Sequence, residues 1–551
     1  MNELVLLGDE ALALGALHSG VSGCFGYPGT PSTEILEYLV DNFERASGPV
    51  AQWCANEKTA YESALGVSFA GKRAIVTMKH VGLNVAADPF MNSSLCQIKG
   101  GLICVVADDP SMHSSQGEQD TRYYADFAMV PLFEPINQQE AYEMVAEAFE
   151  ISERLHVPVI MRMVTRLSHS RAPVHPVANI RSQNDLEKGS PADWMLLPAL
   201  ARKNYLKMIS KQEELVSWSC GYARTHLTLN PKRTDIAIIT SGLGHNYFEE
   251  NRSDYTALCA DKGLPSVLRI AALPLPLEHI RAIAQTAQTI LVIEEGMPFI
   301  ERQLRGLVPS HNQIIGKFTG HLPRTGELNP DLVRTALGLP AHHSVSASFN
   351  PADLPGRPPQ LCKGCPHHDS YSALNAAVEL LNKKEGKVST VVTADIGCYS
   401  LGATNPLKAI ETIVCMGASI GMARGASLAG YKYAFGVIGD STFYHSGLTG
   451  IVDAVSTKTP VTIIILDNSI VAMTGCQPTM LPSSQLEKVL LGLGIEREHL
   501  RVIETKPGTV EENTRILVEE AEYRGPSVII MVRECLEAFR LRKKKDAITN
   551  G

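Results

Sequence analysis

Two apolar runs end in residues that can do chemistry. Residues 435–438 lead into Gly439-Asp440-Ser441, and residues 461–466 lead into Asp467-Asn468, with a helix-like segment between them. If the two runs are neighbouring strands of a parallel sheet, both ends lie at the carboxyl edge, where open α/β sheets bind ligands. A carboxylate and an amide oxygen placed there suit a hard cation such as Mg²⁺, which usually keeps a phosphate in its shell. The span reads as a site for Mg²⁺ and a diphosphate, against the plainer alternative of an ordinary strand–helix–strand crossover.

Other residues with chemical potential sit at similar junctions. Tyr27-Pro28-Gly29-Thr30-Pro31-Ser32 forms a rigid turn into a helix, leaving the Thr30 hydroxyl and the helix amides free to meet an anion, or simply capping the helix. Glu57 stands where a strand gives way to a helix, a position that also suits a carboxylate complementing the helix dipole. A polar loop from Asp108 to Asp120, holding His113 and Ser114, follows another strand end. Twelve cysteines among 551 residues are too dilute for a disulfide framework, so any use they have is metal or redox.

The elements that must position these residues alternate. Residues 3–18 have helical spacing, and strands are expected at 21–26, 52–55, 73–78, 101–107 and 158–163, with helices from 32, at 58–70 and at 138–153. This alternation of β and α predicts a parallel sheet covered on both faces. Residues 166–200 lack a period and read as a linker. A second α/β region at 201–342 has strands at 235–241, 266–270 and 289–294. Its Gly242-Leu243-Gly244 lacks the further glycine of a dinucleotide fingerprint, and Glu294-Glu295-Gly296 reads as a turn. Residues 343–360 are a proline-bearing linker. The last domain, 361–551, opens with Cys362-Lys363-Gly364-Cys365-Pro366-His367, continues through a helix to 382 and a strand at 389–394 ending in Asp395-Ile396-Gly397-Cys398, and closes on a strand at 527–532 and Cys535.

Composition excludes several classes. The net charge of -8 is spread along the chain, leaving no footprint for nucleic acid, and the short basic stretch 540–545 reads as a solvated terminus. No apolar run approaches the length of a membrane span and no secretory leader is visible, so a cytoplasmic protein is expected.

The whole length resembles the large subunit of the indolepyruvate ferredoxin oxidoreductases, in the 2-oxoacid:acceptor oxidoreductase superfamily of thiamine diphosphate enzymes. The residues that carry this are Gly26 to Ser32, Asn56-Glu57-Lys58, Thr77 to Asn84, Ala107 to Pro110, Cys362 to His367, Asp395 to Tyr399, the Gly439-Asp440 to Asn468 span, and Ala472-Met473-Thr474-Gly475. The resemblance implies an α/β fold of three doubly wound, mainly parallel-sheet domains. These are an aminopyrimidine-binding domain at 1–165, a middle domain at 201–342 and a diphosphate-binding domain at 361–551. It implies that Asp440, Asn468 and the Ile470 carbonyl hold Mg²⁺, and that Gly397, Cys398, Gly439, Ser441, Met473 and Thr474 join them around the coenzyme. Glu57 is expected to hydrogen-bond N1′ of the aminopyrimidine and Thr30 to bond the substrate carboxylate, with His113 a further catalytic candidate.

In related oxidoreductases a [4Fe-4S] cluster accepts the electrons, and Cys362, Cys365, Cys398 and Cys535 stand at the matching places. Buried small residues or a zinc site are the alternatives, zinc being disfavoured because a second Cys-x-x-Cys is missing. The implied reaction is oxidative decarboxylation of an aryl 2-oxoacid with CoA, in an oligomer with a smaller subunit and with ferredoxin or another electron acceptor. Family members usually continue into a ferredoxin-like tail that this sequence lacks. The expectations are therefore a tail on another polypeptide, another electron route, or a non-oxidative decarboxylase or carboligase; a scaffold without turnover is disfavoured by intact Glu57, Asp440 and Asn468.

Overall fold

The computed structural model describes residues 3–42, 50–177, 180–341 and 360–549. The linker expected at 343–360 falls outside them except for Gln360. The chain divides into two compact units, residues 1–348 and 349–551.

The first unit contains a seven-stranded sheet in the order Ala272–Leu273, Leu132–Phe133, Val159–Val164, Leu102–Asp108, Ala74–Lys79, Gly23–Gly26, Val50–Trp53. All neighbours are parallel except the first pair. Every side chain of Leu102–Asp108 is buried, as expected of a strand covered on both faces. Helices Gly8–His18, Thr33–Asp41 and Gln138–Leu155 turn Leu12, Ile35, Leu36 and Phe149 onto one face, each of these apolar side chains worth about 1.5–3 kcal/mol of transfer free energy.

A second sheet of the same unit runs Gln313–Ile315, Thr289–Ile293, Ile236–Ser241, Ser266–Ile270, His226–Thr228, parallel except at its last strand. The two sheets share a buried ionic network. Arg122 pairs with Asp120 and Glu294, and Arg162 with Asp108 and Glu134, all of them at most 4% exposed at the side chain.

The second unit is built on a six-stranded parallel sheet in the order Thr412–Ile413, Thr390–Ala394, Tyr433–Gly439, Val461–Asp467, Pro526–Val532, Leu500–Glu504. The helix Pro366–Glu385 packs on it through Tyr371, Ala373, Leu374 and Ala377.

One reading of the sequence needs correction. Residues 4–7 are not helix but a strand, Leu4–Leu7, paired antiparallel with Arg171–Val174, so the first helix begins at Gly8. Four consecutive apolar residues satisfy either period, and the distant partner strand decides between them. Glu294-Glu295-Gly296 follows the strand Thr289–Ile293 as a bend, as read, and its two acids are buried, held by Arg122 and by the Leu328 amide. The span 166–200 carries the short elements Thr165–His169, Arg171–Val174 and Pro191–Trp194 and the start of the helix Pro198–Ser210. Among the described residues no helix is long and apolar enough to cross a membrane.

Candidate active site

In the first unit four adjacent parallel strands deliver their carboxyl ends to one edge. Gly23–Gly26 leads to Thr30, Val50–Trp53 to Glu57, Ala74–Lys79 ends on Lys79, and Leu102–Asp108 feeds the loop holding Asp109 and Ser114. Glu57 is the first residue of the helix Glu57–Phe69, whose start is fixed by Asn56 accepting from the Thr59 amide at 2.9 Å. Its side chain is buried, 5% exposed. Gly82 lies directly beneath it, so that a Cβ added there would come within 2.6 Å of Glu57 Oε1.

The Thr30 turn is tied internally. The Thr33 hydroxyl accepts from the Gly29 amide at 3.0 Å and Ser32 donates to the Gly29 carbonyl at 2.8 Å. It is also tied outward, since Ser114 Oγ donates to the Thr30 carbonyl at 3.2 Å. Asp109 accepts from the Ser114 amide at 2.8 Å and from Ser115 and Thr165 hydroxyls at 2.7 Å each. Burial works against its charge, but these hydrogen bonds and the Lys79 ammonium outweigh it and hold the carboxyl below its ordinary range. His113 turns away from this group: its Nε2 lies 3.5 Å from Glu327 and the side chain is half exposed.

In the second unit the strands Tyr433–Gly439 and Val461–Asp467 are hydrogen-bonded neighbours, with Gly439 opposite Leu466. Asp440 and Asn468 therefore meet at one edge, 5% and 8% exposed. Asp440 accepts from the Ser441 amide at 2.9 Å and the Ser469 amide at 2.8 Å, and Asn468 Oδ1 accepts from the Ile470 amide at 3.2 Å. Gly439 and Gly397 are glycine because the Tyr399 ring occupies the space a Cβ would take, at 2.6 and 2.3 Å. Tyr399 in turn bonds Asp395, as does Ser419. Thr474 donates to Gln477 at 2.7 Å, and Met473 is half exposed.

A further carboxylate completes this group. Burial and then the adjacent Asp467 carboxylate push Asp440 well above its ordinary range. Asp467 Oδ2 is buried without a hydrogen-bond partner, and so is the Tyr444 hydroxyl, which burial and these two acids push up to about 12. Two buried carboxylates with an orphaned oxygen form a hard-oxygen donor set that a divalent cation fits. The sequence shows Asp467 only as a strand end; its contact with Asp440 depends on the register of the two strands.

The cysteines converge in this same unit. Cys362, Cys365, Cys398 and Cys535 line one cavity together with Asn468 and Ala472. Burial, reinforced for both by the neighbouring thiols, pushes Cys365 up to about 11 and Cys398 up to about 12. Four thiols around one space have the chemistry of an iron–sulfur ligand set. A fifth thiol, Cys476, faces Cys535.

Comparison with known proteins gives the class first. Residues 14–208 match the pyruvate flavodoxin/ferredoxin oxidoreductase thiamine diphosphate-binding family, and residues 395–531 the C-terminal TPP-binding domain of thiamine pyrophosphate enzymes. Two parallel α/β sheets with sites at their carboxyl edges are the frame of a thiamine diphosphate-dependent 2-oxoacid oxidoreductase. The indolepyruvate oxidoreductase subunit IorA of Methanothermobacter thermautotrophicus is 34% identical over 97% of this chain and 87% of its own. Those of Archaeoglobus fulgidus and Pyrococcus abyssi are also 34% identical, over 99% and 97% of this chain and 88% and 85% of theirs. The chain belongs to this family of indolepyruvate oxidoreductase IorA subunits.

Proposed function

We propose that the chain, as the large subunit beside a smaller one, uses thiamine diphosphate and Mg²⁺ to oxidise an aryl 2-oxoacid such as indolepyruvate. With CoA the reaction yields acyl-CoA and carbon dioxide, and two electrons leave singly to ferredoxin or another acceptor. When bound, thiamine diphosphate supplies the nucleophilic thiazolium C2 and accommodates the electrons left by carbon dioxide. Asp440, Asn468 and the Ile470 carbonyl are the Mg²⁺ ligands in this reading, with Asp467 adding negative charge to the site. Glu57 would hold the proton at N1′ of the aminopyrimidine, which favours the imino tautomer and leaves the exocyclic nitrogen to act as base. Thr30 meets the substrate carboxylate, and the Pro-rich turn around it keeps its hydroxyl in place.

The observation that carries the oxidative reading is the cysteine cavity beside Asn468. A non-oxidative decarboxylase has no use for an electron acceptor next to its diphosphate site. None of the twelve cysteines is in a disulfide, which supports a reducing, cytoplasmic setting.

Iron and acid-labile sulfide are to be measured on protein purified without oxygen, together with the visible spectrum before and after indolepyruvate and thiamine diphosphate. About four irons per chain, with bleaching on substrate, is the expected result. A colourless protein that releases carbon dioxide would replace this reading with the non-oxidative decarboxylase.

A further inference from the structure

Lys79 has an environment that the reaction as described leaves unused. It ends the strand Ala74–Lys79, between the strands that carry Thr30 and Ser114. Its aliphatic stem packs on Gly29, with Cγ and Cδ at 3.2 Å from where a Cβ would stand, so the lysine runs in close contact beside the Thr30 turn. The ammonium donates to the Ser114 carbonyl at 3.0 Å, and the same Ser114 donates through its hydroxyl to the Thr30 carbonyl at 3.2 Å. Among the described residues that carbonyl is its only hydrogen-bond acceptor, which leaves two of three N–H donors for a ligand. Burial lowers the proton affinity of the amine, and the Asp109 and Glu57 carboxylates, which face it, work in the opposite sense. Asp109 itself is satisfied by Ser114, Ser115 and Thr165. The lysine thus lies beside the Thr30 turn with two of its three donors uncommitted.

From this arrangement we infer that Lys79 is the cation that receives the carboxylate of the incoming 2-oxoacid, jointly with the Thr30 hydroxyl. The inference rests on the 2-oxoacid reading given above and adds to it the charged half of the substrate site. The role is binding and orientation. A charge-assisted hydrogen bond to a carboxylate contributes about 1.5–3 kcal/mol, or about 10- to 150-fold in affinity. The carboxylate is also the group that leaves as carbon dioxide, so substrates lacking it gain nothing from the lysine.

The test uses the full chain with its partner subunit, thiamine diphosphate and Mg²⁺, as wild type, Lys79→Met and Lys79→Arg. Three readouts are compared: KM and kcat for indolepyruvate, binding of the neutral probe indole-3-acetaldehyde, and hydrogen–deuterium exchange at the thiazolium C2. Lys79→Met should raise KM for the 2-oxoacid about 10- to 100-fold, with acetaldehyde binding unchanged and any change in C2 exchange smaller than the change in KM. Lys79→Arg should recover most of the KM. An unchanged KM in Lys79→Met overturns the inference. So does a fall in C2 exchange with KM intact, which would make Lys79 a positioning partner of Glu57. Wild-type protein without thiamine-dependent exchange or carbon dioxide release would remove the 2-oxoacid reading itself, whatever the variants do.

Discussion

Glu57 and Gly82 form a unit at the scale of single residues. The carboxylate is fixed by the start of its helix and by a glycine that leaves it room. Glu57→Gln should retain the fold and coenzyme binding but slow C2 exchange by about 10²- to 10⁴-fold, the usual worth of a positioned acid–base group. Gly82→Ala should slow exchange as well without altering any titratable group, because the new Cβ displaces Glu57; exchange at the wild-type rate in that variant would show that the carboxylate's position is immaterial. A second residue reports on stability. Burial, and next Arg269, push His245 down to about 4 from 6.5. Between those two values the unfolded chain binds the proton and the folded chain does not. Stability is therefore complete above pH 6.5 and is lost as pH falls toward 4, by about 3 kcal/mol at most. Urea midpoints of the wild type and of His245→Gln at pH 7.5 and pH 5 should separate at the lower pH, with the variant the more acid-tolerant.

Among the elements, the paired strand ends of the second unit are legible in the sequence. Two largely apolar runs, leading into Gly439-Asp440 and Asp467-Asn468, read as buried parallel strands with ligands at their edge, and the fold pairs them in register. What the sequence hides depends on distant partners. Leu4–Leu7 takes its strand form from Arg171–Val174, and the state of Glu294 from an arginine 172 residues away. Lys79 carries no local signal, since the carbonyl that holds it is 35 residues further on. Asp467 is in plain view, yet its opposition to Asp440 follows only from register. That opposition has opposite consequences with and without the cation. Asp467→Asn should stabilise the metal-free protein by removing one of two crowded carboxylates, while weakening Mg²⁺ and coenzyme binding about 10- to 100-fold. Thermal melts with and without Mg²⁺ and thiamine diphosphate should therefore shift in opposite directions.

Over the whole molecule, the first unit owes the joining of its two sheets to charges rather than to an apolar layer alone. Arg122 reaches Glu294 at the end of one sheet while sharing Asp120 with its own loop. Arg122→Met should cost about 3–5 kcal/mol, since it takes the guanidinium from two buried carboxylates and leaves Glu294 with backbone amides alone, and the loss should appear as a lowered urea midpoint for this unit. The second unit has its own point of joint dependence. Asn468 lines the cysteine cavity and also belongs to the loop that meets Asp440. Oxygen damage at the thiols should therefore register first as a coenzyme that washes out on dilution, so that an aerobically handled preparation mimics a vitamin deficiency that no added substrate can relieve.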